Sequence, residues 1–311
     1  MEAKKVIVVG ATGTLGSKIV AELIKQGAEV TALVRKTSNR SKLEKLGVMN
    51  FAVADMMDKI SLKDVLRPGK FDTIVTSAAG YTRNTKGDTP KTDTIGYQNL
   101  ADATKEARIP RFVMISILEC DKADSVPHFR NKYQIEKYLE KIGQPYIAIR
   151  PGAFLDQNPD YILPKIAKGI VPSFFTGVDY GTIYTPDLAR YTAMAAISLP
   201  DSELNSHIDV GWSEPVNDKK LAMAFSKVLN QPLKAEPVVP PFVLNLVLPF
   251  VGLFNGNLSD MIKMVKWVKK GDYISHDTMK QKRVFGDLPG IEEGVRRYCE
   301  DHKLIKPKVK A

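Results

Sequence analysis

Cysteine, histidine and long apolar runs are all scarce in this 311-residue chain, and each scarcity excludes a class of protein or of site. Its two cysteines, Cys120 and Cys299, lie far apart in sequence. That excludes a disulfide framework and predicts a reducing, cytoplasmic setting. Cys299 and His302 have a ligand-like spacing, but no second pair of this kind accompanies them. The sequence therefore predicts no metal site.

The most apolar stretch is "VVPPFVLNLVLPFVGLF", residues 238–254. It is too short to cross a bilayer and is interrupted by prolines, so no transmembrane segment is expected. A buried or pocket-lining helix is the favoured interpretation, and a membrane-surface or partner contact stays open. The chain enters a strand within a few residues of its start, which predicts no cleavable signal.

The 35 acidic residues are outnumbered by 45 lysines and arginines. The net charge of +10 favours anionic ligands such as a phosphorylated cofactor. Basic residues are spread through the chain rather than clustered, apart from "KPKVK" near its end. No stripe of aromatic and basic residues is found, so nucleic-acid binding is not supported. The expected partner is a small-molecule substrate, and the sequence leaves open whether the protein is a monomer or a homodimer.

Short apolar runs alternate with helical patterns through the first half of the chain. "KKVIVVG" has the β-branched character of a central parallel strand, and "LGSKIVAELIKQG" follows with helical spacing. The repeated β-α order predicts an α/β fold with a doubly wound parallel sheet. We expect a core over 1–155, completed by 182–212. Residues 156–181 and 213–311 then form a smaller C-terminal lobe that caps the substrate.

A glycine-rich turn, "GATGTLG", joins the first strand to the first helix. Its glycines permit a tight turn, a close backbone approach to a pyrophosphate and close packing of helix on strand. The N–H groups at the helix start then face the phosphates. The predicted cofactor-binding residues of this turn are Gly10, Thr12, Gly13, Thr14, Leu15 and Gly16.

The ends of the next strands indicate which dinucleotide binds. The second strand ends in Arg35 and Lys36, where an acid would favour NAD, so NADP(H) is preferred. Asp55, with Met56, ends the third strand within reach of an adenine amino group. The small residues Ser77, Ala78 and Ala79 end the fourth strand and would let the nicotinamide half lie close to the backbone.

Several stretches, in this order, resemble the NmrA-like branch of the atypical short-chain dehydrogenases/reductases. They are "GATGTLG", "ALVR", "VADMMD", "SAAG", "KYQIEKYLEKIGQPYIAIRPGAF" and "IYTPDLARYTAMA". The resemblance implies a Rossmann core, NADP(H), and a substrate cleft between core and lobe. The branch includes quinone and dye reductases and also cofactor-binding redox sensors, so it fixes the fold better than the reaction. Pro151, Gly152 and Phe154 fall in its cofactor frame, and Tyr81 and Phe154 are candidates for the substrate cleft.

Two lysines in "HFRNKYQIEK" compete for the active site. Helical spacing places Lys132 on the same face as the apolar Ile135 and Leu139, together with His128. The same spacing turns Tyr133 and Lys137 towards solvent, so their Tyr-x-x-x-Lys pattern is a coincidence. The resemblance gives Lys132 the contact with the nicotinamide ribose and places His128 where a tyrosine is usual.

The predicted catalytic residues are Lys132, His128 and Ser116. His128 could donate a proton, or it could be a helix-start histidine without a chemical role. Ser116 ends a strand where reductases of this type place a hydroxyl. The favoured function is NADPH-dependent hydride transfer to a quinone, dye or enone. The alternative is a non-catalytic NADP(H)-binding redox sensor or assembly protein.

Overall fold

A computed structural model describes residues 3–80, 91–240, 243 and 256–306. The first part of the chain alternates strands and helices. They are β1 (Lys5–Val9), α1 (Thr14–Lys25), β2 (Glu29–Val34), α2 (Ser41–Lys45), β3 (Asn50–Val53), α3 (Lys59–Val65), β4 (Thr73–Thr76), α4 (Tyr97–Glu106), β5 (Arg111–Ile115), α5 (Pro127–Ile142) and β6 (Tyr146–Pro151). A π-helical segment, Lys91–Gly96, leads directly into α4.

Shorter strands and further helices follow β6. They are β7 (Ala153–Phe154), α6 (Pro159–Ile166), β8 (Ile170–Ser173), β9 (Thr182–Ile183), α7 (Thr185–Ile197), β10 (Ser206–Val210), α8 (Asp218–Leu229), β11 (Lys234–Pro237), α9 (Gly256–Val268), α10 (Thr278–Phe285) and α11 (Ile291–Asp301). Proline stands near the start of α5 and of α6, where its missing N–H costs nothing.

Seven strands form the main sheet in the order β10-β6-β5-β4-β1-β2-β3. The pairs from β6 through to β3 are parallel. The β1 residues Val6 to Val9 are buried, as both faces of the sheet carry helices. The chain leaves β1 for β2 on one side and later returns to β4 on the other. The prediction of a doubly wound parallel sheet is confirmed, and this reversal is where such folds bind ligands.

The chain divides into two compact units. The first comprises Met1–Arg150 and Thr185–Ile208, and its core lies between the sheet and the helices. The second comprises Pro151–Tyr184 and Asp209–Ala311. It contains two two-stranded sheets, β7 with β9 and β8 with β11. Its aromatic core includes Tyr184, Phe225 and Tyr298, which pack edge to face.

The apolar stretch 238–254 falls almost wholly outside the described residues, so its predicted helix and its surface contact stay predictions. Within the described ranges, no helix is both long and apolar enough to cross a membrane. The same ranges contain no group of three or more acidic, histidine or cysteine side chains arranged to hold a metal ion. The cytoplasmic setting and the oligomeric state likewise stay predictions.

Candidate functional site

The glycine-rich turn between β1 and α1 has a geometry that only glycine permits. Gly10 adopts φ +80°, and its carbonyl accepts a hydrogen bond of 3.0 Å from the Gly13 N–H. A Cβ on Gly16 would lie 2.1 Å from the Gly10 oxygen, far inside van der Waals contact. The turn therefore holds α1 directly against the end of β1, with its N-terminus at the edge of the sheet.

The N-terminus of α1 is open to an anionic ligand. Gly13 caps the helix without any side-chain hydrogen bond, and no acidic residue stands in the first turn. Thr12, Gly13 and Thr14 are exposed, and Leu15 is half-buried. Close by, the Ser77 hydroxyl is buried without a hydrogen-bond partner. This set of unsatisfied donors fits a phosphate group.

Two further strand ends carry the predicted specificity residues. Arg35 and Lys36 follow β2 and are exposed. Beyond β3, the Asp55 carboxylate accepts a 2.9 Å hydrogen bond from the Met57 N–H. The buried Met56 is fixed through its carbonyl, which accepts from Asn99 at 2.9 Å. These two hydrogen bonds hold the loop after β3 in place, and the exposed Arg35 and Lys36 lie after the neighbouring strand.

The backbone at the end of β4 meets the predicted lysine. Ser77 and Ala78 are half-buried, and Ala79 is exposed. The carbonyl of Ala78 accepts hydrogen bonds from the Tyr97 hydroxyl at 2.6 Å and from the Lys132 ammonium at 3.1 Å. A strand end predicted to lie beside the cofactor is therefore also the anchor of Lys132.

Lys132 lies in a buried polar cluster. Its side chain is 7% exposed, and its Nζ donates to the Tyr97 hydroxyl at 2.8 Å. Asp93 Oδ1 lies 3.3 Å from the same nitrogen, and Asp93 Oδ2 accepts from the Gly80 N–H at 3.1 Å. Burial by itself lowers the pKa of Lys132, but attraction to Asp93 and the contacts with Tyr97 outweigh it. The pKa is raised, so Lys132 is an ammonium at neutral pH.

The helical periodicity of α5 correctly assigned its two lysines to opposite sides. Lys132 is buried, whereas the side chain of Lys137 is 52% exposed and pairs with Glu140 one turn later. Tyr133 is half-buried beside Lys137 and is not part of the cluster around Lys132. The prediction that Lys132 faces inwards and Lys137 outwards is confirmed, and the absence of a function for the Tyr133–Lys137 pattern stays a prediction.

Sequence reasoning missed Asp93 and Tyr97. Both are buried, and Tyr97 is fully so. They reach Lys132 from the π-helical segment and the start of α4, and 35 residues separate Tyr97 from Lys132. No local spacing links such distant positions. A π-helical turn is frequent at functional sites, but the sequence "KTDTIG" reads as ordinary helix or loop.

His128 and Ser116 occupy different surroundings. His128 is buried one turn before Lys132, with its ring edge to face with Phe129. Ser116 is also buried, and its hydroxyl donates to Glu136 at 2.5 Å. Within the part of the chain that the structure describes, neither side chain is hydrogen-bonded to Lys132. Their catalytic roles stay predictions.

Glu136 and Arg150 form a buried ion pair beside Ser116. Two hydrogen bonds of 3.1 and 2.6 Å join the guanidinium to the carboxylate, which is a bidentate arrangement. Arg150 also contacts Asp121 at 3.1 Å. Burial, with the nearby charge of Glu136, raises the pKa of the Cys120 thiol far above its usual range. Cys120 is thus an unreactive thiol at neutral pH.

The remaining predicted residues lie in the second compact unit or outside the described ranges. Gly152 has no room for a side chain, because a Cβ would lie 2.5 Å from the Gly181 carbonyl carbon. Its N–H donates to Val210 at 3.1 Å. Pro151 is buried and Phe154, in β7, is half-buried. Tyr81 falls outside the described residues.

The sequence profile described as the NmrA-like family matches residues 2–293, nearly the whole chain. The chain belongs to the NmrA-like family. Among curated relatives of this NmrA-like protein is the photosystem II assembly factor Ycf39 of Synechocystis sp. It is 25% identical over 308 residues, which cover 97% of this chain and 92% of the relative. The match to the Ycf39 of Cyanophora paradoxa, 28% identical, covers 62% of this chain and 59% of that protein.

Two solved structures share the fold of this NmrA-like protein. One is an NADPH-dependent quinone oxidoreductase of Escherichia coli complexed with NADPH, with a TM-score of 0.73 and 18% identity. The other is the triphenylmethane reductase of Citrobacter sp. complexed with NADP(H), with a TM-score of 0.71 and 18% identity. Each comparison covers 94% of this chain and 99% of the other. At this identity the likeness concerns the fold.

Proposed function

We propose that this NmrA-like protein binds NADP(H) and transfers a hydride to a small aromatic or conjugated carbonyl compound of the quinone, dye or enone type. The observation that carries the proposal is the open glycine turn at the N-terminus of α1. It offers uncapped backbone donors, and the neighbouring strand end carries Arg35 and Lys36. Both solved structures with this fold that are named above hold the same cofactor.

The preference for NADP(H) over NAD(H) rests on the charge at the end of β2. A planar guanidinium can bind a 2′-phosphate in a fork and stack on an adenine ring, which a lysine cannot do. An acid at this position would instead accept from a ribose hydroxyl and repel the phosphate. Arg35 is exposed, so a ligand reaches it without displacing core residues.

The chain's own residues orient the cofactor and the substrate, and they do not supply the redox chemistry. NADPH, when bound, supplies the hydride. Lys132 offers a buried ammonium at the end of β4 for orienting a ribose. An electrophilic ring gives a stabilised anion on hydride addition, so solvent can protonate the product and no strong acid is needed. The role of residues 156–181 and 213–311 as a substrate-capping lobe belongs to this proposal.

A second candidate function is an NADP(H)-binding assembly or sensor protein without turnover. The specific observation favouring it is that the polar groups of the predicted active site are engaged. Lys132 contacts three acceptors, and the Ser116 hydroxyl donates to Glu136. A relative that matches over almost the whole chain is named an assembly factor. Cofactor binding alone would serve such a role.

Turnover separates the two candidates. We would measure NADPH affinity by fluorescence titration and NADPH oxidation against a panel of quinones, triphenylmethane dyes and enones. The reductase proposal predicts saturable oxidation with at least one class. It also predicts a kcat/KM about tenfold or more lower in Lys132→Met but unchanged in Lys137→Met. Tight binding without turnover would support the second candidate, and no NADPH binding would overturn both.

A further inference from the structure

Lys132 is held by three groups from three different elements, which we call the lysine cluster. Its members are Asp93 of the π-helical segment, Tyr97 of α4, the carbonyl of Ala78 after β4, and Lys132 itself. The Lys132 ammonium donates two hydrogen bonds, to Tyr97 and to Ala78, and its charge is paired with Asp93. Tyr97 also donates to the Ala78 carbonyl, which closes the cluster into a ring of contacts.

A buried ammonium is costly unless it is paired and hydrogen-bonded. Asp93 supplies that pairing, since it is 1% exposed and lies 3.3 Å from Lys132 Nζ. Its second oxygen is fixed by the Gly80 N–H, so the carboxylate cannot turn away freely. The position and the charge of Lys132 therefore depend on a carboxylate that the sequence pattern around Lys132 does not reveal.

No other described charge competes for Lys132. On its own helix, the His128 ring packs edge to face with Phe129, and Glu136 pairs with Arg150. The short 3-10 turn that packs against α5 contains Cys120, Asp121 and Lys122. Of these, Cys120 contacts Glu136, Asp121 pairs with Arg150, and Lys122 pairs with Glu119. From α4, the group facing Lys132 is Tyr97.

We propose that Asp93 and Tyr97 are positioning residues for Lys132, with Asp93 keeping the lysine protonated and Tyr97 fixing it against the Ala78 carbonyl. The inference deepens the proposed function and rests on it in one respect, that Lys132 orients the cofactor. Tyr97 takes the place of a tyrosine within α5 as the hydroxyl partner of the lysine. It acts through Lys132 and is not itself a proton donor to substrate, because it is fully buried and donates to Ala78.

The charge of Lys132 can be measured without cofactor or turnover. Competitive labelling with acetic anhydride, read by mass spectrometry across pH, gives the midpoint at which Lys132 becomes nucleophilic. In Asp93→Asn the carboxylate is gone but burial remains, so the midpoint moves to lower pH. Labelling near pH 8 then rises about tenfold for each unit of midpoint lost. Tyr97→Phe moves the midpoint in the same direction but less, because a hydroxyl carries a dipole and not a full charge.

Matched controls separate this effect from unfolding or altered access. Glu140→Gln removes the carboxylate beside the exposed Lys137, and there the midpoint changes little because water screens the pair. Asp93→Glu restores the charge, and with it a midpoint near that of the unchanged protein. A change in access alone would scale labelling equally at every pH and leave the midpoint in place. An unchanged midpoint in Asp93→Asn overturns the role of Asp93, and one in Tyr97→Phe overturns that of Tyr97.

NADPH affinity provides the second readout. In Asp93→Asn we expect affinity to fall about tenfold or more as the pH rises from 7 to 9, whereas the unchanged protein varies little. The double variant Asp93→Asn/Lys132→Met should bind no more weakly than Lys132→Met, since Asp93 acts through the lysine. Additive losses would contradict that route. If NADPH fails to bind but the labelling midpoint still moves, the proposed function falls and the positioning role stands.

Discussion

The Glu136–Arg150 pair shows how far a single residue can determine stability here. Both side chains are almost fully buried and joined by two hydrogen bonds, so removing the Glu136 charge leaves Arg150 in the core with only the partly exposed Asp121 as its partner. Glu136→Gln should lower the free energy of unfolding by about 3–5 kcal/mol, measured by urea denaturation. Glu140→Gln, at the 40% exposed Glu140, is the control and should cost about 1 kcal/mol or less. Equal losses would show that Glu136 is screened by water.

Also at the scale of the residue, the sequence predicted contacts between residues that are close along the chain, and not contacts between distant ones. The burial of Lys132 follows from helical spacing with Ile135 and Leu139, which are one and two turns away. The partners Asp93 and Tyr97 come from the π-helical segment and from α4, and no spacing in α5 points to them. Ser116 was predicted from its place at a strand end, but its hydroxyl contact with Glu136 depends on how α5 packs beside β5.

Gly13, between β1 and α1, and Gly47, between α2 and β3, show two different uses of glycine. Gly13 has an extended conformation that alanine can adopt, and an added Cβ would be 3.2 Å from the Gly10 oxygen. Gly13→Ala should therefore fold normally but reduce NADPH affinity about tenfold or more, because the methyl group covers the helix N-terminus. At Gly47 the φ of +88° is strained for alanine, with open space around it. Gly47→Ala should lose about 1–2 kcal/mol of stability and keep its NADPH affinity.

Circular dichroism with urea and fluorescence titration measure the two quantities. If Gly13→Ala retains full affinity, phosphate does not bind at this turn, and the proposed cofactor site would be wrong. If Gly47→Ala loses affinity as much as Gly13→Ala does, the titration reports general destabilisation rather than a site.

The elements themselves were largely predictable because strand and helix periodicity are local. The alternation of apolar runs and helical patterns predicted β1 to β6 and α1 to α5, and with them the doubly wound parallel sheet. The π-helical segment Lys91–Gly96 was not predictable. Its residue Asp93 contacts Gly80 and Lys132, which lie 13 and 39 residues away, so no local pattern could indicate the segment.

On the scale of the whole molecule, the charge of +10 indicates an anionic ligand without saying where it binds. The fold of the first compact unit offers the place for which we propose that binding. It brings the uncapped start of α1 and the exposed Arg35 and Lys36 to the same edge of the sheet, where parallel strands end. The general attraction to anions would then become a preference for NADP(H), because a 2′-phosphate would contact Arg35 and a pyrophosphate would contact the start of α1.

This preference predicts how ligands stabilise the whole protein. A ligand that binds only the folded state, present at a hundred times its Kd, adds about 2.7 kcal/mol. NADPH should therefore raise Tm by several degrees in a thermal-shift assay, and NADH at the same concentration should raise it much less. Arg35→Gln should abolish the difference by weakening the binding of NADPH alone, since NADH has no 2′-phosphate to contact Arg35. Lys25→Gln removes an exposed charge on α1 away from the turn, and this control variant should keep the difference between NADPH and NADH. Equal stabilisation of the unchanged protein by both dinucleotides would mean that Arg35 does not bind the 2′-phosphate.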